Sequence, residues 1–148
     1  MKLCMIGTGY VGLVSGACFA DLGNVVYCVD KNKEKISSLN SGISPIYEPG
    51  LEEIILKNHQ SGRLIFTTNL IESVKHSDII FICVGTPTKK NSTSVDMSYV
   101  FKAISEVISS SKLKKIIVTK STVPVGTGDL IDKILKRKKK KNFIAISN

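Results

Sequence analysis

The chain has 148 residues, of which 43% are hydrophobic and 22% are charged, and its formal net charge at pH 7 is +9. This length is enough for one domain with a substantial core, and 11 glycines with 4 prolines exclude collagen-like and low-complexity chains. No apolar run reaches the roughly 20 residues of a membrane helix. The apolar run at the amino terminus ends at Gly7 and is therefore too short for a signal peptide. We therefore expect a soluble, cytoplasmic domain that does not interact with a membrane.

The predicted elements alternate between strands and helices. The first half contains, in chain order, a strand at Leu3–Ile6, a helix at Tyr10–Leu22, a strand at Val25–Val29, a helix from an Asn32 cap to Gly42, a helix from Leu51 to Gly62 and a strand at Leu64–Thr67. The second half contains a helix at Leu70–Lys75, a strand at Ile79–Val84, a helix around Val100–Ile108, a strand at Ile116–Thr119, a helix at Gly128–Lys136 and a strand at Phe143–Ile146. The polar stretch Lys89–Ser94 is predicted to be a mobile loop.

This alternation predicts βαβ units and therefore a parallel sheet. The Ile79–Val84 run is apolar at every position, as expected for a central strand buried on both faces. We predict an α/β fold of the Rossmann type, with a doubly wound, mainly parallel six-stranded sheet and helices on both faces, over one domain at 1–148. The last strand is expected at an edge of the sheet, where its apolar residues would make the chain prone to aggregation.

The positive charge is concentrated in one place. Six of the positive charges lie in the run Lys136–Lys141, and removing them from the total of +9 leaves an ordinary +3. Such a run can bind nucleic acid, but it also suits the negative end of a helix dipole. The chain has no Trp and few aromatic residues to stack on bases. The sequence therefore favours a solvated helix end over a nucleic-acid site.

The strongest motif follows the first predicted strand. Gly7-Thr8-Gly9-Tyr10-Val11-Gly12 matches G-x-G-x-x-G and opens a helix, and Asp30 ends the second predicted strand about 20 residues later. In this fingerprint the first glycine allows a tight turn, the second lets a pyrophosphate approach the backbone, and the third lets the helix pack closely. The amino end of the helix then holds the phosphates, and Asp30 accepts hydrogen bonds from a ribose.

The residues after Asp30 bear on the choice of dinucleotide. A carboxylate at this position disfavours a 2′-phosphate and so favours NAD over NADP. Lys31, Lys33 and Lys35 lie close by in the sequence and could weaken that preference. Lys35 is either a second cofactor ligand or a solvated helix lysine, and the residues alone leave both open.

Two further loops follow apolar strands, and each carries a threonine. Thr86 lies in Gly85-Thr86-Pro87-Thr88, and Thr122 lies in Lys120-Ser121-Thr122-Val123-Pro124. Ligands of open α/β sheets bind beyond the carboxyl ends of the strands, so one crevice is expected to collect the glycine loop, Asp30, Thr86 and Thr122. Ordinary Thr-Pro turn chemistry is the alternative explanation for each threonine.

The other chemically active residue types form no recognisable cluster. None of the four cysteines forms a C-x-x-C pair, so we expect neither a metal site nor a redox motif. Cys4, Cys28 and Cys83 lie in apolar runs, and Val11, Val14, Cys18 and Leu22 recur at helical spacing, so all four thiols are predicted to be small buried hydrophobes. His59 and His76 are predicted to be surface residues. Glu48 is either functional or part of a helix lead-in.

Several strings together carry a resemblance over essentially the whole chain. They are GTGYVGLVSG at Gly7–Gly16, PIYEPGL at Pro45–Leu51, VGTP at Val84–Pro87 and KSTVPVGT at Lys120–Thr127. In this order they resemble the amino-terminal NAD-binding domain of the UDP-glucose 6-dehydrogenases, within the UDP-glucose/GDP-mannose dehydrogenase family. GDP-mannose and UDP-N-acetylmannosamine dehydrogenases share the plan and remain alternatives.

The resemblance implies a four-electron oxidation of a sugar C6 alcohol to a carboxylate, with two NAD⁺ and a cysteine-bound thiohemiacetal and thioester. It implies that NAD contacts a set of loop residues, and that Thr122 also helps to position a catalytic water. The implied cofactor-binding residues are Gly7, Gly9, Tyr10, Val11, Gly12, Asp30, Lys35, Thr86 and Thr122. The resemblance also implies that the intact enzyme is a homodimer and that its UDP-sugar substrate binds a further domain.

The sequence departs from this family by its length. The resemblance places the catalytic Glu, Lys and Asn, the nucleophilic Cys, the central helix and the sugar-nucleotide domain beyond residue 148. We therefore expect a truncated, amino-terminal cofactor half that binds NAD without turnover. A non-catalytic nucleotide-binding module is the alternative.

Overall fold

The computed structural model describes residues 1–89 and 94–147. Its strands are β1 (Lys2–Ile6), β2 (Val25–Val29), β3 (Leu64–Thr67), β4 (Ile79–Ile82), β5 (Lys115–Thr119) and β6 (Phe143–Ser147). Its helices are α1 (Tyr10–Asp21), α2 (Lys33–Asn40), α3 (Leu51–Gln60), α4 (Leu70–His76), α5 (Ser98–Ser110) and α6 (Thr127–Arg137). The predicted order of elements is confirmed. Four residues of the predicted mobile loop, 90–93, lie outside the described residues.

All six strands form one parallel sheet with the order β3-β2-β1-β4-β5-β6. This is the doubly wound order, in which the order of the strands reverses between β1 and β4. The predicted fold class is therefore confirmed, and β6 lies at an edge as expected. Its Ile144 and Ile146 side chains are 45% and 51% exposed.

The core has two parts, one on each face of the sheet, because successive strand residues point to opposite sides. Leu3, Met5 and Cys28 belong to the part that packs against α1, α2 and α3. Cys4 and Ile80 belong to the part that packs against α4, α5 and α6. The helices thus cover both faces and leave the carboxyl ends of the strands open. We call this side of the sheet, formed by the carboxyl ends of all strands, its open edge.

One strand is shorter than its sequence suggests. The apolar run Ile79–Val84 predicts six strand residues, but β4 ends at Ile82. Its neighbour β1 ends opposite it, at Ile6, because Gly7 turns away with a φ of +100°. Cys83 and Val84 therefore leave the sheet and form the floor of the crevice described below.

The buried face of α1 also differs from the prediction. The stripe of Val11, Val14, Cys18 and Leu22 is not the packing face, since Cys18 is exposed and Leu22 is 79% exposed. The helix instead buries a face that is mostly of small residues, namely Gly12, Leu13, Gly16, Ala17 and Ala20. Small residues let the helix backbone approach the sheet closely. The buried face of α1 is therefore determined by residue size, and the spacing of its larger apolar residues predicted the wrong face.

The basic run ends a helix, as the sequence favours. Lys136 and Arg137 form the last turn of α6, and Lys138 follows as its carboxyl cap. Lys139 then takes a left-handed backbone conformation with a φ of +54°. The run lies where α6 leads into the amino end of β6, at the opposite end of the sheet from the crevice.

Candidate dinucleotide site

The glycine-rich corner begins where β1 ends. Gly7 has a φ of +100°, and a Cβ added there would lie 2.6 Å from the Cys83 carbonyl oxygen. A Cβ on Gly12 would lie 1.9 Å from the carbonyl oxygen of Gly7 itself. Gly12 is therefore needed for the tight corner. Close packing of the helix on the sheet depends instead on Gly16, where an added Cβ would lie 2.7 Å from Cys28 Sγ. The sequence motif does not mark Gly16 for this role.

Gly9 differs from the other glycines of the corner. A Cβ at Gly9 would meet no protein atom within 4 Å, so this glycine is not required by internal packing among the described residues. It is the N-cap of α1, which begins without a side-chain cap and without an acidic residue in its first turn. In contrast, Asn32 and Asn69 cap α2 and α4. The open backbone at Gly9 and the uncapped amides of α1 form a cradle that suits a phosphate group.

Asp30 follows β2 and is held by four donors. Its Oδ2 accepts hydrogen bonds from the Thr8 amide at 3.0 Å, the Thr8 hydroxyl at 2.7 Å and Lys35 Nζ at 3.2 Å. Its Oδ1 accepts from the Asn32 amide at 3.0 Å. Burial alone would raise the pKa of Asp30, but the donors outweigh it and lower this pKa to about 2. Asp30 is therefore a carboxylate at neutral pH, as a ribose acceptor must be.

Two of the lysines near Asp30 form ion pairs with carboxylates. Lys35 Nζ lies 3.2 Å from Asp30, in a pair that is mostly shielded from solvent. Lys31 Nζ lies 3.3 Å from Glu106 in an exposed pair across the crevice, where the interaction is weak. An ionised Asp30 would repel a 2′-phosphate. Lys35 would attract such a phosphate, but its ion pair with Asp30 weakens this attraction.

A crevice of about 330 Å³ runs along the carboxyl edge of the sheet. This volume falls at the lower end of the range for small-molecule sites. Gly7, Gly9, Asp30 and Lys35 line it, and its apolar floor includes Cys83 and Val84. The structure therefore brings together the glycine corner, the Asp30 carboxylate and Lys35 around one cavity.

The two predicted threonines lie at the same edge of the sheet but outside this cavity. Thr86 is half-buried and Thr122 is exposed, and neither side chain hydrogen-bonds within residues 1–89 and 94–147. The loop that carries Thr122 is nevertheless tied to β4, because the Ser121 hydroxyl donates to Val84 O at 2.7 Å and its amide donates to Ile82 O at 3.0 Å. The backbone thus places Thr122, whose side chain makes no hydrogen bond to the described residues.

Tyr10 joins the corner to a distant loop. Its hydroxyl donates a hydrogen bond to the Glu48 carboxylate, and this bond raises the pKa of Tyr10. Glu48, which the sequence left open, is thus a partner of the glycine corner. Val11 is 43% exposed beside Tyr10 on the first turn of α1.

Sequence reasoning missed Thr8. This residue occupies a position that the G-x-G-x-x-G motif leaves free, yet its side chain is fully buried and it donates twice to Asp30. The only signal in the sequence is that threonine carries a donor. The pattern gives no reason to expect that the donor reaches across to β2.

The cysteines and histidines show no reactive arrangement in the described part of the chain. Burial raises the pKa of the Cys4 and Cys83 thiols to about 12, and it raises that of Cys28 further. These thiols stay protonated and are poor nucleophiles, whereas Cys18 was wrongly predicted to be buried. His59 is half-buried, with Nδ1 3.0 Å from Leu64 O, so it is a packing residue and the surface prediction fits only the exposed His76.

Two features are absent from residues 1–89 and 94–147. No group of three or more His, Cys, Asp or Glu side chains could hold a metal ion. No helix is long and apolar enough to cross a membrane.

The sheet order, the glycine corner and the carboxylate after β2 define a dinucleotide-binding domain of the Rossmann class. Residues 1–148 match the model of the UDP-glucose/GDP-mannose dehydrogenase family, NAD binding domain. The chain belongs to this family, whose cofactor is NAD.

Similar proteins are much longer than this chain. A UDP-glucose 6-dehydrogenase of Rhizobium meliloti is 52% identical over 136 residues, which are 92% of this chain and 31% of that protein. The structure of a UDP-glucose dehydrogenase from Pyrobaculum islandicum matches 99% of this chain with a TM-score of 0.89 and 38% identity, over 35% of its own length. A GDP-mannose dehydrogenase structure from Pseudomonas aeruginosa matches all of this chain with a TM-score of 0.92 and 35% identity, over 36% of its length. The chain spans about a third of these relatives.

Proposed function

We propose that residues 1–148 are the NAD-binding domain of a UDP-glucose 6-dehydrogenase. The observation that carries this proposal is the crevice in which the open cradle at Gly9 and the ionised Asp30 lie together. The residues fit the dinucleotide: the uncapped amino end of α1 suits the pyrophosphate, and Asp30 with Lys35 suits the adenosine ribose. Bound NAD⁺ would accept the hydride taken from the sugar's C6.

The chain's own residues have distinct tasks in this proposal. Gly7 and Gly12 shape the corner, and Gly9 with the amides of Tyr10 and Val11 binds the pyrophosphate. Thr86 and Thr122 follow β4 and β5, where the nicotinamide half of the dinucleotide would lie beyond the switch point of the sheet. Their free hydroxyls would donate to that half, and Thr122 would also orient the water that hydrolyses the enzyme's acyl intermediate.

The intact protein would oxidise UDP-glucose to UDP-glucuronate with two NAD⁺, in the cytoplasm and as a homodimer. The 148-residue chain alone would bind NAD without oxidising the sugar, because hydride transfer needs both partners held in reactive geometry. Support for this substrate comes from the R. meliloti enzyme, which is 52% identical, against 35% for the GDP-mannose dehydrogenase.

Two experiments test the proposal. Isothermal titration of the folded chain with NADH should show saturable binding, and Gly9→Val should abolish this binding in a chain that stays folded. No binding of NADH by the folded wild-type chain would overturn the proposal.

The second experiment concerns the substrate. The full-length product of the gene should reduce NAD⁺ with UDP-glucose far faster than with GDP-mannose. The high TM-score of the GDP-mannose dehydrogenase makes that sugar the alternative, and a reversed preference would establish it.

A further inference from the structure

The carboxylate of Asp30 is held in a fixed orientation from the glycine corner. Thr8 is fully buried although it lies in a loop, and both its amide and its hydroxyl donate to the same oxygen, Oδ2. Lys35 Nζ donates to Oδ2 as well, at 3.2 Å. A carboxylate oxygen offers about two lone-pair directions, so the capacity of Oδ2 is taken up by protein donors.

The other oxygen of Asp30 keeps acceptor capacity. Oδ1 accepts one hydrogen bond, from the Asn32 amide at 3.0 Å. A ribose hydroxyl that binds Asp30 therefore has Oδ1 as its acceptor. Because Thr8 occupies Oδ2 twice, it decides which oxygen is offered to the ligand and fixes the plane of the carboxylate.

We infer that Thr8 is a positioning residue that orients Asp30 for the adenosine ribose through its hydroxyl. This inference rests on the proposed function. It assigns a role to a residue that the glycine motif leaves unspecified. Thr8 lies between Gly7 and Gly9, so it also ties the phosphate cradle of α1 to the ribose acceptor after β2. The two halves of the adenosine diphosphate would then be bound by one prearranged unit.

The decisive variants are Thr8→Val and Thr8→Ser. Valine keeps the shape and the backbone amide of Thr8 but removes the hydroxyl, whereas serine keeps the hydroxyl and removes only a methyl group. The measurement is the dissociation constant of the folded chain for NADH and for its analogue that lacks the adenosine 2′-hydroxyl. Melting temperatures show which variants are folded.

The wild type should prefer NADH over the deoxy analogue by about tenfold, the size expected for a hydrogen bond to a charged acceptor. Thr8→Val should lose about tenfold in NADH affinity and most of this preference, and Thr8→Ser should retain both. A loosened loop would instead weaken NADH and the analogue equally. That outcome, or equal weakening by Thr8→Ser, would overturn the role of the hydroxyl.

A second readout requires no ligand. The pKa of the Asp30 carboxyl, followed by NMR in the free chain, should rise in Thr8→Val and stay low in Thr8→Ser, because the hydroxyl donates to the ionised form. An unchanged pKa in Thr8→Val would contradict the inference even if that variant binds NADH poorly. Failure of the wild type to bind NADH would refute the proposed function, whereas wild-type binding that Thr8→Val leaves unaltered would refute only the inference.

Discussion

The two halves of the open sheet edge are built differently. Beyond β1 and β2, Asp30 is held by four donors, Thr8 is fully buried, and the glycine corner fits against Cys83. Beyond β4 and β5, Thr122 is exposed, and the buried Thr119 hydroxyl has no partner in the described residues. The proposed adenosine half of the site is therefore preformed within the described residues, whereas in the proposed nicotinamide half the loop backbone is held but the threonine side chains are not.

The largest expected effect separates two glycines of the same corner. Gly12→Ala would push a Cβ to 1.9 Å from the Gly7 carbonyl oxygen, and we expect it to destabilise the fold by about 3 kcal/mol or more. The Cβ of Gly9→Ala meets no atom of the described residues within 4 Å, so this variant should lose no more than the roughly 1 kcal/mol of a glycine N-cap while NADH binding weakens. Chemical denaturation and NADH titration of both variants provide the comparison, and equal destabilisation would contradict it.

Asp30→Asn should have the next largest effect. It removes the charge that we propose binds the ribose and repels a 2′-phosphate, so NADH affinity should fall by about tenfold or more. The ratio of NADPH to NADH affinity should rise. Isothermal titration with both dinucleotides measures this, and Glu72→Gln, at an exposed carboxylate of α4 outside the crevice, is the matched control. An unchanged ratio would mean that Asp30 does not face the ribose.

The lowered pKa of Asp30 also predicts a pH dependence of stability. Its pKa falls from the ordinary value of 3.8 to about 2 on folding, so the carboxylate stabilises the fold above pH 4. That contribution, about 2 kcal/mol, should be lost as the pH falls from about 4 to 2. Asp30→Asn should lack this part of the acid destabilisation in urea titrations. If the unfolding free energies of the wild type and Asp30→Asn fell equally between pH 4 and pH 2, the donors around Asp30 would not stabilise its ionised form.

Ser121→Ala tests how the second half is ordered. The buried hydroxyl of Ser121 donates to Val84 O at 2.7 Å, so its loss should cost about 1 kcal/mol of unfolding free energy. NADH affinity of the isolated chain should stay within about twofold, since the adenosine half is untouched. A large loss of affinity without loss of stability would show that this loop already contributes to binding.

The smallest effects are expected for Thr86→Val and Thr122→Val. Neither hydroxyl is held by the described residues, so each change should alter NADH affinity of the isolated chain by less than about threefold and leave stability unchanged. Isothermal titration with NADH measures the affinity of each variant, and chemical denaturation measures its stability. In the full-length enzyme the same changes should lower turnover. If either change lowered the NADH affinity of the isolated chain as much as Asp30→Asn does, the two halves of the site would not differ in the way described above.

The sequence predicts what depends on periodicity and on backbone freedom. The βα alternation predicts the sheet, and the glycine spacing followed by Asp30 predicts the adenosine half of the crevice. It failed where side-chain size and distant partners decide, since apolar periodicity selected the wrong face of α1 and no local pattern links Thr8 to Asp30. That the glycine loop, Asp30, Thr86 and Thr122 share one crevice stays a prediction, since the cavity around Asp30 is lined without the two threonines.

The central claim is that NAD binds at the glycine corner through Asp30, away from the basic run. Amide chemical shifts recorded during an NADH titration test it most directly. We predict the largest shift changes at residues 7–12 and at Asp30, smaller ones near Thr122, and none at 136–141. Changes confined to the basic run, or a spectrum that NADH leaves untouched, would contradict it.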